Sequence, residues 1–281
     1  MHKLTLVALA VALATVAPAR AADQCRHSAE RYAAAPTAGI ERIRIEAGAG
    51  SLQISGESDA VQVMARGRAC SESEELLAAT DIEIRREGTL LIVTTVLPEP
   101  VEARGMFTSR TAYATLDLTV DVPDRIDLEV EDSSGDLEIE SVGSLDLADS
   151  SGDIRIRTVD GNLALTDSSG NIDVRGVRGD VTLTDSSGDV DLEEVAGDVT
   201  VPVDSSGDLE IRDVEGSVWI ETDTSGDIDI ADVRDDVRID VDSSGSIDVD
   251  RVGGSFTVGA DASGSIRHRS VAGTVSLPPQ D

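Results

Sequence analysis

Aspartate is the residue best placed to do chemistry in this chain, because it recurs at nearly fixed spacing. Asp132, Asp149, Asp167, Asp185, Asp204, Asp223, Asp242 and Asp261 each open the same phrase. Its first copy reads Asp132-Ser133-Ser134-Gly135-Asp136-Leu137-Glu138-Ile139. A second set follows each glycine: Asp136, Asp153, Asn171, Asp189, Asp208, Asp227, Ser246 and Ser265. Carboxylates, hydroxyls and turn carbonyls are the hard oxygen ligands that calcium takes. The first set is therefore a candidate calcium ladder. The same residues also suit a turn without metal, since Asp and Ser side chains bond nearby backbone N–H groups. The nine-residue glycine-rich calcium repeat is absent. Both readings stay open on the sequence.

Carboxylates can also be catalytic, and some parallel β-helices cut polysaccharides with clustered Asp, Arg or His. Here the histidines are His2, His27 and His268. The aspartates are spread evenly rather than gathered, and no coil differs sharply from the rest. Arg267-His268-Arg269 is a small basic patch at the end of the repeats. The expectation is no enzyme, no catalytic residue and no cofactor other than calcium.

The elements that carry these residues follow from the period. The glycines Gly135, Gly152, Gly170, Gly188, Gly207, Gly226, Gly245 and Gly264 are spaced 17, 18, 18, 19, 19, 19 and 19 residues apart. So short and steady a period predicts an all-β parallel solenoid in which each repeat is one coil. Two strand signals recur per coil, as in Leu137-x-Ile139 and Leu145-x-Leu147, with apolar residues two apart on one face. A valine sits between them in every copy, from Val142 and Val159 to Val271, and is expected to plug the corner. Stacking at about 4.8 Å per coil would make the eight coils of residues 131–277 a rod of roughly 40 Å. Residues 278–281 are a tail.

The chain opens with His2 and Lys3, an apolar run of 13 from Leu4 to Val16, and Ala19-Arg20-Ala21. This reads as a signal peptide over residues 1–21, so the protein is expected to be exported, to the periplasm or beyond. No later run is apolar enough to cross a membrane. Residues 22–36 read as a flexible segment. Residues 37–130 read as an irregular β region, with strand candidates at 40–45, 51–54, 61–63, 82–84, 90–93 and 116–122. Ser71-Glu72-Ser73-Glu74 has the form of a capping box with Ser71 at the cap. It predicts a short helix at about 72–79 that covers the open end of the solenoid. Residues 98–110 read as an exposed loop, and Gly48-Ala49-Gly50 as a degenerate corner. Cys25 and Cys70 are the two cysteines. In an oxidising compartment the leading reading is a disulfide between them, and the alternative is two unpaired thiols.

The strand-rich opening, the strand end at Val122-Pro123, Leu128-Glu129-Val130 and the repeated Asp-Ser-Ser-Gly-Asp phrase resemble a known family. It is the bacterial putative-adhesin family, domains of unknown function with β-solenoids like the heads of auto-transporter adhesins. The resemblance covers roughly residues 38–277. It implies a right-handed parallel β-solenoid in the cell envelope, acting as a binding scaffold. Nothing after residue 277 reads as a translocator barrel or a cell-wall sorting signal.

Charge narrows the partners. The formal net charge is −32, and Lys3 is the only lysine. Loss of residues 1–21 removes Lys3 and Arg20, leaving 21 basic and 55 acidic groups, or −34. Such a surface repels nucleic acid and anionic lipid, and suits cationic partners, divalent metal or simple solubility. One outward column of the first sheet runs Glu138, Arg155, Asp173, Asp191, Glu210, Asp229, Asp248, Arg267, beside a mixed column from Glu140 to Arg269. This face reads as solvated and salt-bridged, or as a cation-binding face. The outward column of the second sheet is small and weakly charged: Asp146, Ala164, Thr182, Thr200, Trp219, Arg238, Thr257, Ser276. Trp219, the only tryptophan, should point outward. There it would stack on a sugar ring or a protein partner, or lie under the N-terminal loop or the C-terminal tail.

Overall fold

In a computed structural model, described over residues 25–99, 101–104 and 109–279, the chain forms two long sheets back to back. Each sheet has 12 strands. Eight coils contribute one strand to each, from Leu137–Val142 with Leu145–Ala148 to Gly264–Val271 with Val275–Ser276. All coil-to-coil pairing is parallel and in strict register, so Leu137, Ile154, Ile172, Val190, Leu209, Ile228, Ile247 and Ile266 form one column. Alternation then sends Leu137 and Ile139 inward and leaves Glu138 and Glu140 outward. The corner valines from Val142 to Val252 are buried, and with the strand residues they make one continuous aliphatic core. Each such side chain contributes roughly 1.5–3 kcal/mol by leaving water.

The corner glycines are obligatory for two reasons. Their φ lies between 121° and 150°, a region closed to side chains. They also stack directly: a Cβ on Gly188 would lie 1.8 Å from the carbonyl oxygen of Gly170. Gly50, at φ 134°, belongs to the same column, and its N–H donates to Ser134 O. The opposite corner was not foreseen. The residue just before each corner valine is left-handed, with φ 54–62° at Ser141, Thr158, Glu194, Asp213, Asp232, Arg251 and Ser270. Only Gly176 is a glycine there. Register pairing on both sides holds these residues in a conformation that their side chains disfavour.

The N-terminal region is β1 (His27–Pro36), β2 (Arg42–Glu46), β3 (Leu52–Glu57), β4 (Gln62–Ser71), α1 (Glu74–Ala79), β5 (Asp81–Glu87), β6 (Leu90–Val96), β7 (Val101–Arg104), β8 (Ser109–Ala112), β9 (Ala114–Pro123) and β10 (Asp127–Glu131). The chain leaves the stack after β3, builds the end, and returns as β9 between β3 and β4. All six strand candidates are found. Four expectations need correction and one a limit. Residues 27–36 are not flexible: β1 pairs along its whole length with β4. Its half-buried side are His27, Ala29, Arg31, Ala33 and Ala35, which carry no aliphatic signal. Arg31 donates to Thr80 O and Leu77 O, tying β1 to the end of α1. The helix is capped by Ser73, whose Oγ accepts from Leu76 N–H at 3.1 Å, because pairing with Ala114 keeps Ser71 in β4. The end is closed by β1, β4 and β5 together with α1, not by the helix alone. A hairpin of β7 and β8 stands where a loop was expected. The signal-peptide segment lies outside the described residues.

Cys25 and Cys70 are disulfide-bonded, their Cα atoms 5.4 Å apart, which fastens the start of β1 to β4. Cys70→Ser should lower the thermal midpoint and raise proteolysis within β1, an effect of about 2–4 kcal/mol. Unchanged proteolysis of β1 would mean that strand pairing and Arg31 suffice. Gly188→Ala should cost more than about 3 kcal/mol, because it combines a forbidden φ with a backbone clash. A midpoint within error of the parent would show that the corner can rearrange.

Candidate functional site

The five positions of the Asp-Ser-Ser-Gly-Asp phrase have separate tasks. The second serine donates its hydroxyl to the carbonyl of the first serine one coil back, as in Ser169 Oγ to Ser150 O at 3.2 Å and Ser187 Oγ to Ser168 O at 3.1 Å. The residue after the glycine is exposed and accepts an amide from the next coil. Asp153 Oδ1 takes Asn171 N–H at 3.0 Å, Asn171 Oδ1 takes Asp189 N–H at 3.1 Å, and Asp189 Oδ1 takes Asp208 N–H at 3.0 Å. A third polar column stands at the other corner. Asp127, Asn162, Asp180, Asp198 and Asp236 accept the amides of Ser144, Asp180, Asp198, Ser217 and Ser255. This column was missed, although a polar residue directly before each second-sheet strand was its signal.

The first aspartate of the phrase does something else. Asp132, Asp149, Asp167, Asp185, Asp204, Asp223 and Asp242 are 0–5% exposed, while Asp261 at the end is half-buried. Their carboxyl oxygens find no hydrogen-bond partner, apart from Asp242 Oδ1, which accepts from Ser244 N–H at 3.0 Å. Elsewhere the amides of the following serines act against burial, as Ser133 does at Asp132 and Ser150 and Ser151 do at Asp149. Burial pushes Asp132 up to about 7 and Asp223 up to about 7. It pushes Asp167 and Asp204 up to about 6, and raises Asp149, Asp185 and Asp242 as well. The charge of the neighbouring aspartate adds to burial at Asp132, Asp204 and Asp223. Turn capping thus describes the exposed columns better than this one. As a calcium site the column offers a single row of carboxyls, where the ion takes six to eight oxygens around itself. Among the described residues no three His, Cys, Asp or Glu side chains converge as a metal cage.

The outer face of the first sheet is laced with ion pairs. Arg157 is 2.5 Å from Asp173 and holds its carboxyl below the usual range, and Arg175 pairs with Glu193. Arg269 lies 3.5 Å from Asp250. His268 takes an inward position of the last coil, its ring 6.1 Å from that of Phe256.

The outer face of the second sheet is different. Ala148, Thr166 and Thr184 form one uncharged column beside Ala164, Thr182 and Thr200. A shallow groove of about 420 Å³ opens at one end, over Asp146, Asn162 and Ala164. At the other end stands Trp219, 40% exposed. Its Nε1–H donates to Asp240 Oδ2 at 3.1 Å, and the Arg238 guanidinium lies 5.9 Å from the ring centroid. Arg238 in turn donates to the other oxygen of Asp240 and, with the indole, holds that carboxyl low.

No helix among the described residues is long and apolar enough to cross a membrane. Three solved structures are similar along most of the chain. A putative cell adhesion protein from Clostridium sporogenes is 12% identical, with a TM-score of 0.34, covering 89% of this chain and 99% of its own. A putative adhesin from Bacteroides fragilis is 18% identical, with a TM-score of 0.37, covering 90% and 98%. A putative lipid binding protein from Parabacteroides distasonis is 16% identical, with a TM-score of 0.40, covering 89% and 97%. No curated protein matches. The family model Toastrack DUF4097 matches residues 40–271, so the chain, with its stacked glycine corners and paired sheets, belongs to the Toastrack DUF4097 family.

Proposed function

We propose that the protein is an exported, non-catalytic binding scaffold of the cell envelope, an adhesin-type rod that takes a glycan or protein partner along the outer face of its second sheet. The observation that carries this reading is the uncharged strip ending on Trp219 in a chain of net charge −32. From Ala164 to Trp219 the strip runs three coil steps, roughly 14 Å. A flat face with an aromatic ring already fixed by Asp240 and Arg238 presents apolar area at little further loss of side-chain freedom. Export is supported by the form of residues 1–21 and by the Cys25–Cys70 bridge, which suits an oxidising compartment. The absence of catalysis is supported by the fates of the carboxylates. The first column is buried, the two corner columns accept backbone amides, and carboxylates on the outer face of the first sheet pair with arginines, as Asp173 does with Arg157. Nucleic acid is disfavoured as a partner by the charge.

Trp219→Ala should weaken retention of the protein on isolated cell envelopes about tenfold or more, with Trp219→Phe in between. Equal retention of all three would remove the strip as the site. Asp240→Ala should shift the emission of this single tryptophan and weaken retention less than Trp219→Ala does, since it frees the ring without deleting it. Hydrolysis of envelope polysaccharide by the pure protein, abolished by one Asp substitution, would overturn the non-catalytic reading.

A further inference from the structure

The buried aspartates are the feature that neither packing nor the proposed binding face accounts for. They follow one another in register, Asp185 beside Asp204, Asp204 beside Asp223, Asp223 beside Asp242, and Asp242 beside Asp261. Adjacent parallel strands stand about 4.8 Å apart, which brings the carboxyls of successive coils within reach of each other. The backbone amides are already used between coils, as in Asp167 N–H to Thr184 O at 2.9 Å. The carboxyl groups face the amides of the serines that follow them and the carboxyls of the neighbouring coils, as Asp167 does Ser168, Asp149 and Asp185. The charged groups that bear on the column from neighbouring elements are Asp189 on Asp204 and Asp227 on Asp242. Glu46 and Glu131 share a small cavity with Asp132 and Asp149 at the N-terminal end. All of these are acidic and add to the repulsion along the column.

Ionised carboxylates in such a row repel one another and are stripped of water. One proton placed between two of them removes a charge and makes a short O–H···O⁻ bond. We infer that the column from Asp132 to Asp242 is a proton-binding site, in which neighbouring carboxyl groups share protons along the rod axis, so that the solenoid tightens in mild acid and loosens toward alkaline pH.

The sign follows from linkage. In the unfolded chain these groups ionise near the ordinary aspartate value of about 4. In the fold, burial moves Asp167 and Asp204 to about 6 and Asp132 and Asp223 to about 7. The folded state therefore binds more protons between these values. The column's contribution is full below about pH 4 and is lost as pH rises through about 6 to 7. Asp173, Asp232 and Asp240 have the opposite sign, being held low by Arg157, Arg251 and Arg238. Their contribution is lost only in stronger acid, outside this window.

The test is thermal unfolding of the purified chain from about pH 5 to about pH 8, at fixed ionic strength with chelator. The midpoint should fall by roughly 5–10 °C across that range. Asp185→Asn with Asp204→Asn, neutral at the same size, should make the fall clearly shallower and raise the midpoint at the alkaline end. The infrared carbonyl band of a protonated carboxyl should be present in the folded parent protein near pH 6 and absent after unfolding at that pH. This band decides the matter alone if the variants do not fold. A flat midpoint without the band overturns the inference. So does a rise in midpoint at the alkaline end that calcium produces, magnesium does not, and the Asn variants lack, because the column would then be a calcium site.

Discussion

From coil to coil the first amide of a strand reaches a carbonyl one coil away, as Leu137 N–H does to Asp153 O at 2.9 Å and Ile154 N–H to Asn171 O at 2.8 Å. This parallel register is what turns a sequence position into a column. A column of aliphatic residues becomes a core that no coil could bury alone. A column of glycines becomes a corner in which each Cα sits against the carbonyl below it. A column of Asx residues becomes an inter-coil chain of hydrogen bonds. The same register removes choice: a residue whose φ or charge is unfavourable is held there by its neighbours above and below, as at Thr158 and Asp185.

One residue type meets three fates because of direction alone. Asp153 stands just outside the strand start and turns to solvent, where its carboxylate caps an amide. Asp180 does the same at the other corner. Asp167 lies two residues beyond Leu165, so the alternation that buries Leu163 and Leu165 carries it inward too. The later coils insert one more residue between the last inward aliphatic and the aspartate, as in Val201-Pro202-Val203-Asp204. The added residue bulges outward, leaving Val203 and Val241 39–40% exposed, while Asp204 and Asp242 stay buried. The coil lengthens from 17 or 18 to 19 residues without moving the carboxyl.

Most of the solenoid was legible in the sequence because its signals are local and repeated. Inward aliphatics, corner valines and stacked glycines could each be read eight times. What was not legible depends on contacts between segments far apart. β1 looked unstructured because the side it turns inward is Ala29, Arg31, Ala33 and Ala35, and its order comes from β4, the disulfide and the Arg31 bonds to α1. The helix cap fell on Ser73 rather than Ser71 because β9 pairs with Ser71 first. The left-handed corner escaped notice because Ser, Thr, Glu, Asp and Arg occupy it, and only register explains how they are held. At the candidate sites, the outward pose of Trp219 followed from alternation. Its bracing by Asp240, two residues beyond Arg238 and one coil on, did not.

The columns also differ in what they tolerate within this one chain. The position after the glycine takes Asp, Asn171, Ser246 and Ser265: Asp227 still accepts the Ser246 amide, and beyond it a bond from Ser265 Oγ to Ser246 Oγ links the last two coils. The serine positions admit Thr224 and Ala262. The first position is aspartate in all eight copies, although it is the one where burying a charge is most costly. A turn residue alone would not require this, since Asn and Ser serve turns equally well. A carboxyl differs from an amide of the same shape in one respect that matters inside a low-dielectric column: it can lose its proton. Carboxyls that stack on their own kind, are buried in seven of the eight copies and are never exchanged for the neutral amide are arranged around that difference.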